Sequence, residues 1–206
     1  MLTFTQREFE CSRMGEESRL PALSYEREPV LLKSTITDYE GLFIGFGGRE
    51  TAYPYTEQNL YSDTQKQLLP VAVLENEYLC AEFLPSLGGR LWRLYDKKHG
   101  RNIVYVNDAI RMRNLSVRNA WFAGGVEWNC GVIGHTPFTC APMYTARLRD
   151  ADGADVLRFY EFERVRGLCY QMDFWLERDR LMSCVRIENP HDTVVPMYWW
   201  SNMATP

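Results

Sequence analysis

The chain has 206 residues, with 27 acidic and 23 basic side chains, three histidines and a formal net charge of −4. Hydrophobic residues make up 46% and aromatics 14%, enough apolar material for a buried core, which excludes a disordered chain. The acidic balance argues against a nucleic-acid partner, and the longest apolar run, Leu68 to Leu74, is far below the ~20 residues of a membrane helix.

The amino terminus is charged throughout and has no apolar stretch of the secretory kind, so a cytoplasmic location is expected. Six cysteines without a CxxC pair suit a reducing compartment, an exported protein being the alternative. Residues 1–28 read as an extension or a first strand, and residues 29–206 as one domain. Glu40 to Thr56, rich in Gly and Tyr, reads as a loop, and Gln58 to Leu69 is the one stretch that could hold a short helix.

Period-two alternation dominates from there on. Leu79 to Phe83 and Leu91 to Tyr95 read as strands around the turn Pro85-Ser86-Leu87-Gly88-Gly89. From Tyr144 the pattern is a meander: Tyr144 to Arg149, Val156 to Arg164, Leu168 to Leu176 and Leu181 to Glu188, with Gly, Pro, Asn and Asp in the turns. Large apolar residues alternate from Leu168 to Leu176, while Cys169, Gln171, Asp173 and Trp175 form a mixed second face, as in one sheet of a sandwich. The meander is expected to continue into a last strand over Val194 to Trp200. It runs to Pro206 without a closing turn, so the domain is expected to continue further.

The stretch richest in chemistry runs from Arg118 to Phe138. It holds four glycines, two tryptophans, an acid, an amide and a histidine. Indole faces can stack on the C–H face of a sugar, and Arg, Asn and Glu can then pair with its hydroxyls. On this reading Arg118, Trp121, Trp128 and Asn129 bind the ligand. Glu127, flanked by Val126 and Trp128, is a candidate for proton transfer, against an ordinary strand glutamate paired with an arginine. His135, beside Thr136-Pro137, is a candidate acid, against a turn-capping histidine. Cys130, His135 and Cys140 lack a fourth ligand and the short knuckle of a zinc site, so no metal is expected. The Leu87-Gly88-Gly89-Arg90 turn is too short to cradle a phosphate, and no cofactor is expected. His99 and His191 read as solvated turn residues.

Pro85 to Leu94, with Gly88-Gly89-Arg90 followed by Leu91 and Leu94, resembles an early strand of galactose-mutarotase-like proteins. Trp121 to Phe138, Tyr160 to Arg166 and Met197 to Asn202 resemble a bacterial domain of unknown function that often precedes tetratricopeptide repeats and is assigned to that superfamily. The resemblance implies an all-β antiparallel sandwich, the amino-terminal part of a β-supersandwich, with a carbohydrate ligand on the concave face of one sheet. It also implies a carboxyl-terminal helical-repeat region. True mutarotases use a glutamate base and a histidine acid. Glu127 and His135 supply those types, although the mutarotase glutamate lies later in its domain than this chain reaches.

Three functions follow as expectations. One is a sugar-active enzyme of hydrolase or epimerase type using Glu127, with Asp173 as an outside second carboxylate. Another is a noncatalytic carbohydrate-binding module, and the last is a structural piece that docks on the repeats.

Overall fold

The computed structural model describes residues 1–12, 23–26, 49–52, 63–116, 119–131, 136–163, 166–195 and 197–206. Among them the chain is all-β, with one short 3-10 turn at Pro137–Cys140 and no helix long and apolar enough to cross a membrane. In chain order the first strands are β1 (Leu2–Ser12), β2 (Leu23–Glu26), β3 (Arg49–Ala52), β4 (Thr64–Glu75), β5 (Leu79–Leu84), β6 (Arg90–Asp96), β7 (Arg101–Asn102) and β8 (Ala109–Ile110). They continue as β9 (Arg113–Ser116), β10 (Asn119–Trp121), β11 (Val126–Cys130), β12 (Tyr144–Arg149), β13 (Asp155–Glu163), β14 (Leu168–Glu177), β15 (Arg180–Glu188) and β16 (Trp199–Met203).

Two sheets make the sandwich. The larger has the order β16-β11-β6-β5-β4-β1-β8, with β7 beside β6, and is antiparallel except where β8 runs parallel to β1. The smaller is the meander β12-β13-β14-β15. Alternation aims Leu157, Phe159, Tyr170, Met172 and Phe174 inward from the meander against Leu2, Ala72, Leu74, Ala81 and Phe83 of the larger sheet. Phe83 sits at the centre, its ring centroid 5.9 Å from Phe159 and 4.8 Å from Phe174.

The larger sheet is covered on its other face too. Val71, Val73, Leu84 and Trp92 pack there with Ile110, Met112 and Phe122. This double cover explains the apolar run Val71 to Leu74 in β4, which is buried on both sides, while Leu68 at the start of the longer apolar stretch stays exposed. A register shift between Glu82 and Phe83 leaves Trp92 as an extra residue in β6, so Leu91 faces the first core beside Phe83 while Trp92 and Arg93 both turn to the second face. Glu82 is buried on the second face, where Arg7 and Arg93 reach it at 2.7 and 3.0 Å.

The four meander strands lie where alternation puts them, but three other expectations change. The expected helix over Gln58 to Leu69 is strand from Thr64 onward, because β4 pairs with β1 over its whole length, from Leu2↔Leu74 to Ser12↔Thr64. That long-range ladder outweighs a weak local helical preference. The expected loop Glu40 to Thr56 contains β3, which pairs with β2. The last strand starts at Trp199 rather than Val194 and does not extend the meander. It crosses to the larger sheet and pairs with β11, placing Glu127 opposite Asn202 and Asn129 opposite Trp200.

Candidate functional site

Strand β11, flanked by Gly124, Gly125 and Gly131, is held by a chain of buried polar groups. Arg90 donates to the carbonyls of Phe122 at 2.7 Å and Gly124 at 2.8 Å, and to Glu127 Oε2 at 2.9 Å. Both side chains of this ion pair are only 3% exposed, and the guanidinium lies 3.7 Å from the centroid of the Phe122 ring. Burial pushes the Arg90 pKa below its ordinary value while Glu127 holds it up. Asn129 Nδ2 donates to Glu127 Oε1 at 3.3 Å, and Asn129 Oδ1 accepts from the Thr136 backbone at 2.7 Å. Trp128 donates its indole N–H to the Gly89 carbonyl at 3.1 Å and packs on Phe174 with ring centroids 5.1 Å apart.

Glu127 and Asn129 therefore come together on one face of β11, whereas Trp128 points to the other face, into the core with Phe174, and the partners described for all three lie inside the protein. Trp121 is the last residue of β10. Arg118 and His135 lie outside the described residues. The glycines here serve close approach between parts of the chain itself. Gly125 has a φ of +65°, and a Cβ there would sit 2.1 Å from the Leu91 carbonyl oxygen. Cys130 and Cys140 belong to the two separate cores, and burial pushes both thiols up to about 12. His99 Nδ1 meets Asp96, and His191 Nε2 meets the Arg166 carbonyl at 2.9 Å.

An open site lies on the outer face of the meander. Residues of β12 to β15, most of them outward-facing, line a groove of about 510 Å³. Tyr144 and Tyr160 are cross-strand partners whose rings stack 5.3 Å apart at 17°. They are 63% and 43% exposed, and Phe162, two residues along the same face, is 46% exposed. Gln171 lies opposite Tyr160 on one side and Arg186 on the other.

Charge along the groove is balanced. Arg158 makes two hydrogen bonds of 2.6 Å to Asp173, which hold the guanidinium pKa above its ordinary value. Arg186 meets Glu188 at 3.1 Å, and Glu161 Oε1 accepts from the Phe162 backbone at 2.8 Å. The Gln171 amide has no side-chain hydrogen bond among the described residues.

Sequence reasoning identified the second face of β14 but missed this groove. The available signal was in β13. Phe159-Tyr160-Glu161-Phe162 places aromatics on both parities, more than a half-solvated strand needs.

The fold is shared with a solved TPR-domain containing protein from Parabacteroides distasonis ATCC 8503, at a TM-score of 0.72 and 20% identity. The match covers 100% of this chain and 32% of that protein, so the chain spans about a third of its length. Residues 49–206 match the model of the family described as Domain of unknown function (DUF5107), and the chain belongs to that family.

Proposed function

We propose that this chain is a carbohydrate-binding domain on a galactose-mutarotase-like sandwich, and that it holds its ligand in the groove across β12 to β15 without transforming it. The observation that carries this reading is the exposed, stacked Tyr144–Tyr160 pair within that groove. A rigid aromatic face buries the apolar side of a pyranose at low entropic cost, while flanking polar groups orient its hydroxyls.

The noncatalytic part of the reading is supported by the acids. A proton-transfer group must come within hydrogen-bond reach of its substrate. Glu127 is 2% exposed and paired with Arg90, Asp173 is held by both arms of Arg158, and of the two acids that line the groove Glu161 accepts from the Phe162 backbone and Glu188 pairs with Arg186. The likeness to a TPR-domain containing protein supports a helical-repeat region in the same polypeptide.

Glycan-array screening followed by calorimetry tests the proposal. Tyr144→Ala and Tyr160→Ala each lower affinity for the best glycan by about ten-fold or more, with a loss of stability of about 1 kcal/mol from the broken ring pair. Glycan binding indifferent to both tyrosines refutes the site. Any turnover of the bound glycan by the folded chain refutes the noncatalytic reading.

A further inference from the structure

Resting on that reading, we infer that the groove selects a neutral, hydroxyl-rich saccharide and that Gln171 is its specificity-determining residue. The charged side chains that line the groove are two cations, Arg158 and Arg186, and two anions, Glu161 and Glu188. Arg158 is fixed on Asp173, and Arg186 has Glu188 beside it. An anionic sugar entering here meets as much negative charge as positive. It gains no uncompensated cation in return for losing its hydration.

Gln171 differs from these neighbours. Its amide is uncharged, has no intramolecular side-chain hydrogen bond among the described residues, and sits at the centre of the face between Tyr160 and Arg186. An amide offers a donor and an acceptor side by side. Two adjacent sugar hydroxyls, each both donor and acceptor, complement that pair while the ring lies on the tyrosines. A site built to hydrogen-bond in this way discriminates by the pairing it leaves unmade.

Calorimetry on the full chain tests this with two sets of probes. One is cello-, manno- and xylo-oligosaccharides, and the other is oligogalacturonate and a sulfated galactan oligosaccharide. The neutral set binds, and Gln171→Met, which keeps length and bulk but removes the amide, weakens that binding about five-fold or more. Binding of the anionic set alone overturns the inference. So does a Gln171→Met variant with unchanged affinity when Tyr160→Ala loses it. Either result leaves the carbohydrate reading in place. Failure of the folded chain to bind any member of either set overturns that reading itself.

Discussion

Arg90 and Glu127 illustrate how a buried charge pair constrains its own residues. Each is almost fully enclosed, and each compensates the desolvation of the other, with two carbonyls accepting from Arg90 Nη1 while Nε has no hydrogen-bond partner among the described residues. Removing one partner leaves a buried charge without its counter-ion. Arg90→Met is therefore expected to cost about 3–5 kcal/mol, measurable by urea denaturation, with Glu127→Gln following in the same direction. Glycan affinity of the folded fraction stays unchanged in both variants. A drop in affinity without a drop in stability assigns Glu127 to the ligand instead. The sequence showed that Glu127 sits between Val126 and Trp128 and would be desolvated. It could not show that its counter-ion comes from Arg90, because that contact spans 37 positions of chain. Gln171 posed the opposite problem: a polar residue on the second face of a strand is commonplace until Tyr160 of the next strand appears beside it, with Tyr144 one strand further.

At the scale of elements, the turn entering β11 shows why glycine density is not itself a ligand signal. Gly125 takes a left-handed conformation and lies against the Leu91 carbonyl, so β11 can pair with β6 at Val126↔Leu91. Gly125→Ala combines backbone strain with a clash against backbone and is expected to cost at least about 2 kcal/mol. Gly153 has a comparable φ of +80° with nothing within 4 Å of its would-be Cβ. Gly153→Ala at that hairpin is expected to cost about 1 kcal/mol. Equal losses in thermal melts of the two variants contradict the assigned clash. The meander was legible for the same local reason that its turns are short. Each strand pairs with its sequence neighbour, and period-two alternation marks which residues face inward. β4 and β16 were misread because their partners are distant or lie in the other sheet.

For the whole molecule, two thiols buried in separate cores couple stability to alkaline pH. Cys130 and Cys140 rise from 9.0 to about 12 because burial disfavours the thiolate. The unfolded chain ionises them above its own value of 9.0 while the folded chain keeps them protonated. Their contribution is thus complete below that pH and is lost as pH rises toward about 12, by about 1.4 kcal/mol per pH unit for each thiol. Under reducing conditions, denaturation midpoints fall between about pH 8 and about pH 10, and Cys140→Ala flattens that fall. A pH slope that the variant leaves unaltered removes Cys140 from the account.

Alternation and turn chemistry by themselves determined that this chain is an all-β sandwich with a meander beginning at Tyr144, since strand period and hairpin turns are encoded within a few residues of one another. Only the tertiary structure decided which aromatic and acidic residues face solvent. Trp128 and Glu127 turn inward because β6 and β14 supply their partners. Tyr144 and Tyr160 remain outside because, among the described residues, nothing packs over the outer face of the meander. Exposure is a property of what folds back onto a strand, and that is settled by contacts between residues far apart in the chain.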